Sequence, residues 1–134
     1  MTQSEVLLYL GLPYTKTGFG PDSYNCWGLL IHIQKTYFNT EMPLAPLGDE
    51  VACLNLFKTK TECGEWIQTK EPKHGDCVLL KGGRNPHVGI YLDFDGGGVL
   101  HSLEGMGVIY SRLRELNHQG FGRTKFYKIV NAKS

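Results

Sequence analysis

The 134-residue sequence has no excess of either charge: 14 lysines and arginines stand against 13 acids. A balanced surface offers no net field to gather nucleic acid or an anionic membrane, and no basic run supplies one locally. Neither nucleic acid nor membrane is therefore expected as a partner. No apolar stretch approaches the length of a bilayer span, and the N-terminus lacks the basic-then-apolar layout of a secretory signal. The expectation is a protein made in soluble form and not exported by that route. Cysteine is scarce as well. Cys26, Cys53, Cys63 and Cys77 are too few and too scattered for a disulfide framework. There is no Cys-x-x-Cys pair and no two ligands at a zinc-site spacing, so no metal is expected. Cys53 and Cys77 lie in apolar company and read as small buried hydrophobes. Internal repeats and low-complexity segments are also missing, and the length suits one domain over residues 1–134.

What is present divides into two halves. Gln3 to Leu10 reads as a short helix with Val6, Leu7 and Leu10 on one side. A loop rich in turn residues, Gly11 to Asn25, leads to a second helix that starts near Cys26 and ends before Met42-Pro43. Pro43 to Gly48 is a rigid connector, and Asp49 to Lys58 is a candidate third helix carrying Val51, Leu54 and Phe57. Thr59 to Lys73 has weak patterning and reads as loop, a lid or docking surface being equally open; Trp66 there reads equally as packing or contact. After His74-Gly75-Asp76 come short β-prone runs parted by glycine-rich turns: Cys77–Lys81, His87–Leu92, Gly98–Ser102, Val108–Leu113 and Thr124–Val130. Gly82 to Pro86 and Asp95 to Gly97 are the first two of those turns. Helices first and an antiparallel sheet afterwards indicate an α+β fold.

The chemistry concentrates at Asn25-Cys26-Trp27-Gly28-Leu29-Leu30. Cys26 falls at a predicted helix N-terminus, where free N–H groups and the macrodipole favour a thiolate. His87, Gly89 and Tyr91 share one face of their strand, with Val88, Ile90 and Leu92 on the other. Glycine beside the histidine allows another backbone or a substrate to come close. His101, across the hairpin, can approach the His87 ring. One imidazole would take the thiol proton and a second polar group would hold that imidazole in the useful tautomer. Taken singly, a cysteine at a helix start is more often a packed residue than a nucleophile, and a strand histidine more often a satisfied polar residue. His32, His74 and His118 have no partner visible in the sequence and are assigned structural roles.

Five blocks in order carry a resemblance: Tyr14 in Gly11-Leu12-Pro13-Tyr14, Asn25-Cys26-Trp27-Gly28-Leu29, Gly75-Asp76-Cys77-Val78-Leu79-Leu80, His87 to Leu92, and Val99-Leu100-His101. Together they resemble the NlpC family of papain-like cysteine endopeptidases, from about Gly11 to Tyr127. The resemblance implies a small papain-like domain with about five antiparallel strands. It implies Cys26 as nucleophile, His87 as general base, His101 as its orienting partner, and Tyr14 near the oxyanion site. Tyr14 alone reads equally as a packed loop aromatic. It also implies cleavage of peptidoglycan stem peptides, after a D-γ-glutamyl residue, through a thioester and without metal or organic cofactor. Three features depart from the common pattern: Asn25 in place of Asp, His74 in place of Pro, and a turn after Leu92 about two residues longer, which preserves alternation.

The flanks, Gly20 to Leu29 and Gly98 to Val108 with Ser111-Arg112-Leu113 and Phe126-Tyr127, resemble the version found in bacteriophage tail assembly proteins. That implies other tail or tail tip proteins as partners, synthesis in the host cytoplasm, residence in the virion tail, and action in the cell wall or periplasm. The alternatives are a catalytically silent structural component of the tail, and an amidase or acyltransferase on the same scaffold.

Overall fold

The computed structural model describes residues 1–44, 50–82 and 86–130. Helix α1 is Gln3–Leu7, closed at its start by a reciprocal capping box between Thr2 and Glu5. It is shorter than the sequence pattern suggests, and only Val6 turns inward; Leu7 and Leu10 remain exposed. Residues 8–11 instead form a turn whose Gly11 N–H donates to the Val108 carbonyl at 3.0 Å. Helix α2 is Cys26–Phe38, ended by Asn39 in the left-handed conformation. Its buried stripe of Trp27, Leu29, Leu30 and Ile33 makes it the central helix. Helix α3 is Glu50–Glu62.

Six strands follow: β1 (Trp66–Thr69), β2 (Cys77–Lys81), β3 (His87–Leu92), β4 (Gly98–Leu103), β5 (Gly107–Arg112) and β6 (Arg123–Ile129). They form one antiparallel sheet in the order β1-β6-β2-β3-β4-β5. The five strands expected from the β-prone runs lie within one residue of their observed bounds. The sixth, β1, arises where the sequence reads as loop. Thr59 to Lys73 is in fact the end of α3, a turn, and an edge strand on β6. Trp66 is fully buried there, packed edge-on to Phe57 and against Tyr127, so it is a core residue. The edge position explains the weak pattern, since Ile67 and Gln68 both face solvent. The rigid connector beyond Leu44 and the tip of the β2–β3 turn lie outside the described residues.

Both faces of the sheet are covered. Ile90, Leu92, Leu100 and Val108 pack with α2 on one face. On the other, Val78, Leu80, Tyr91 and Val99 pack with Leu116, Phe121 and Phe126. The second cover comes from two short 3₁₀ turns, Leu113–Glu115 and Asn117–Gln119, between β5 and β6. Every residue of β3 is consequently buried. His87 and His101 thus sit inside the molecule, on the face that the β5–β6 connection roofs over.

Candidate active site

The start of α2 is fixed by Asn25. Its Oδ1 accepts from the Gly28 N–H at 2.6 Å and its Nδ2 donates to the Lys16 carbonyl at 3.0 Å. The side chain therefore caps the helix and ties down the preceding loop, two tasks that an aspartate could not both perform. The loop is clamped further. Ser102 Oγ of β4 donates to the Tyr24 carbonyl at 2.7 Å, and the Tyr24 N–H donates to the Pro13 carbonyl at 3.1 Å. A Cβ on Gly28 would run into the Gly18 carbonyl, so glycine is required for this close approach.

Pairing of β3 with β4 begins at Ile90↔Leu100 and runs away from His87. The β3 backbone near His87 is thus left without its β4 partner, and the Val88 N–H faces the Cys26 sulfur closely enough to favour its thiolate. The N–H groups of Cys26 and Trp27, at the open end of α2, act on the sulfur in the same direction. Cys26 thereby lies against the β3 backbone next to His87. The residue keeps some exposed surface. Burial pushes its thiol above the ordinary range, and the three N–H groups offset only part of that. Desolvation thus opposes the thiolate that the helix terminus favours.

The histidines meet as the strand faces require. His87 Nε2 lies 2.8 Å from His101 Nδ1, and both rings are buried. Gly89 permits this. A methyl there would lie 2.5 Å from Val99 Cγ1, 2.8 Å from the Leu100 carbonyl oxygen and 3.0 Å from His101 Cβ. Gly89→Ala is expected to cost about 1–3 kcal/mol through forced separation of β3 and β4. Urea denaturation would measure it, and an unchanged midpoint would refute the close-approach account.

Three residues that the sequence does not assign to the site complete the arrangement. Ser111 of β5 stands 2.9 Å from His101 Nε2, and its hydroxyl donates to Gln119 Oε1 at 2.9 Å. Phe121 stacks on His87, with ring centroids 5.1 Å apart and planes at 13°. A small polar residue on the inward face of β5 was the single available hint for Ser111. Gln119 and Phe121 belong to an irregular connection that has no period to read.

Burial and the neighbouring His101 hold His87 well below the ordinary imidazole range, and burial does the same for His101. Both are neutral when the protein is folded at neutral pH. Below pH about 6.5 the unfolded chain binds protons that the folded chain refuses, so stability falls as pH falls. The expected slope is about 1.4 kcal/mol per pH unit for each histidine. Urea midpoints at pH 7 and pH 5 should show the loss, and His101→Asn should lessen it. A variant with the wild-type slope would show that His101 is not the source.

Tyr14 is carried on a loop pinned to β5, where the Val108 N–H donates to the Leu12 carbonyl at 2.9 Å. Its phenol lies within electrostatic range of Cys26 and Glu104. Burial first, then those two groups, raise it, so it remains a hydrogen-bond donor at neutral pH. The other histidines lie elsewhere. His32 pairs with the Tyr9 hydroxyl at 2.8 Å, His74 bridges the Met1 carbonyl and Asp93, and His118 is exposed in a 3₁₀ turn. Among the described residues, no three histidine, cysteine or carboxylate side chains gather in a group able to hold a metal ion.

The fold and the described geometry can be compared with known proteins. Among solved structures, the chain is similar to the NlpC/p60 domain of the peptidoglycan hydrolase SagA. The two share 21% identity over 92% of each chain, with a TM-score of 0.59. At that identity the likeness speaks for the α+β fold. No curated protein matches. The NlpC/P60 family model matches residues 11–123, a span that holds Tyr14, Cys26, His87 and His101 as well as most of both packed faces. The chain belongs to the NlpC/P60 family.

Proposed function

We propose that this chain is a cysteine peptidase that cleaves amide bonds in peptidoglycan stem peptides. The observation that carries the reading is Cys26 at the open start of α2, facing the β3 backbone next to a buried, hydrogen-bonded His87–His101 pair. A neutral thiol next to a neutral imidazole can react by transferring its proton as it attacks. The Cys26 proton passes to His87 while sulfur bonds to the scissile carbonyl carbon. The carbonyl oxygen takes up negative charge, for which the Tyr14 hydroxyl and the Cys26 N–H are the available donors. The C–N bond then breaks, the His87 imidazolium returns its proton to the departing amine, and a thioester remains. Water, deprotonated by His87, attacks that thioester and releases the acid and the free thiol.

Phe121 supports the charged step. Its ring face lies against His87, where the π system favours the imidazolium once it forms. SagA, which shares the fold, is a peptidoglycan hydrolase, and this supports the substrate class. The flanking sequences around Cys26 and His101 support a further placement, in a bacteriophage tail. The D-γ-glutamyl bond is the proposed cleavage point, from the family resemblance.

Incubation of the protein with purified muropeptides, followed by mass spectrometry, tests the activity. Two products whose masses sum to that of the stem plus water are expected, and the bond is read from them. Intact muropeptides after prolonged incubation would count against the substrate class. The tail placement predicts that the chain is found by mass spectrometry in purified tail particles, and its absence there would remove that part.

A further inference from the structure

We infer that Gln119 and Ser111 are positioning residues, and that they decide which ring nitrogen of His87 is free to take the Cys26 proton. The inference rests on the proposed role of His87 as base. It follows from the direction of three consecutive hydrogen bonds.

The line starts at Gln119, whose Oε1 can only accept. The Ser111 hydroxyl is the donor to it, at 2.9 Å. A hydroxyl has one proton, and here it is committed to Gln119. Toward His101 Nε2, at 2.9 Å, the Ser111 oxygen must therefore accept, so that nitrogen carries the hydrogen. Both rings are buried and neutral, and a neutral imidazole has one N–H. His101 Nδ1 is then a lone pair. His87 Nε2, 2.8 Å away, must donate to it. The remaining nitrogen, His87 Nδ1, is left as a lone pair, ready to accept a proton from a thiol. Reversing the first donor reverses every bond in the line. A donor at position 119 would turn the Ser111 hydroxyl toward His101, place the hydrogen on His101 Nδ1, and leave His87 protonated at Nδ1. Such a base cannot act.

Ser111 reaches the pair because of strand register. It is the partner of Val99, two residues from His101 on the same face. Gln119 reaches Ser111 because the 3₁₀ turn Asn117–Gln119 folds back under the sheet, with the Phe121 N–H donating to the Leu116 carbonyl at 2.9 Å. Neither residue contacts the sulfur in any bond described, so their influence passes through the histidines. Gln119 is only partly buried, which leaves room for a longer or charged side chain.

The test compares an acceptor with a donor of similar length at one position. Long-range proton–nitrogen correlation spectra of histidine-labelled protein distinguish the Nδ1–H from the Nε2–H tautomer of each ring. Wild type is expected to show Nε2–H at both His87 and His101. Gln119→Glu keeps the acceptor and should keep both tautomers. Gln119→Lys supplies only donors and should move both rings to Nδ1–H. Its kcat on muropeptides should fall about a hundredfold, the low end of what a correctly protonated base contributes, with KM unchanged. Ser111→Ala should lose the fixed tautomers and Ser111→Thr should restore them. An Nδ1–H His87 in wild type would overturn the inference. So would tautomers that ignore both Gln119→Lys and Ser111→Ala. If the spectra follow the expected pattern and wild type cleaves nothing, the relay stands and the hydrolase reading fails.

Discussion

Cys26→Ala is expected to leave no measurable cleavage of muropeptides while changing stability by no more than about 1 kcal/mol. The two halves of this result have separate causes. Without sulfur no thioester forms, and no other described thiol contacts the histidine pair in any bond described: Cys53, within electrostatic range of Cys26, and Cys77 belong to the core on the α2 side, and Cys63 is exposed beyond α3. The fold survives because Asn25, not Cys26, caps α2, and Leu29, Leu30 and Ile33 anchor it. The Val88 N–H loses only the neighbourhood of a thiol sulfur, a weak acceptor, which limits that loss. Mass spectrometry of the digests and a urea melt read the two halves independently. Residual cleavage by Cys26→Ala would assign the nucleophile elsewhere.

The second large effect separates the two histidines. His87→Ala should lower kcat by at least about a thousandfold, within the range for a removed general base that also serves as the acid. His101→Ala should lower it by about ten- to a hundredfold, since it removes orientation and leaves the proton acceptor in place. The geometry makes the asymmetry specific. His87 adjoins the Val88 N–H that faces the sulfur, whereas His101 faces away from it toward Ser111. Equal activity in the two variants would end the division of labour between them. Both replacements also open a cavity among Phe121, Gly89 and Val99, so a thermal melt must accompany the kinetics.

Much of this was legible in the chain itself. Five strands followed from β-prone runs parted by glycine-rich turns, because a strand covered on both faces reads as a near-continuous apolar run. The helix start at Cys26 followed from the turn residues before it and the apolar spacing after it. Gly89 was read as a point of close approach, and the clash distances show the reason. Less was legible where structure is not periodic. β1 is an edge strand with one buried anchor, Trp66, too short and too exposed to display alternation. The β5–β6 connection has no repeat at all, yet it supplies Gln119 and Phe121.

The sequence alone determined the α+β class, the order of the elements and the presence of a thiol and two imidazoles on surfaces able to meet. Those are local properties, set by side-chain spacing and backbone preference. Only the tertiary structure decided the charge state of the site and the direction of its hydrogen bonds. Burial disfavours charge on the Cys26 thiol, against the pull of the helix terminus, and on both imidazoles. The cost of desolvating a charge depends on everything packed around it. The bond from Ser111 to Gln119, closed by residues far from Cys26 in sequence, then fixed where the protons lie.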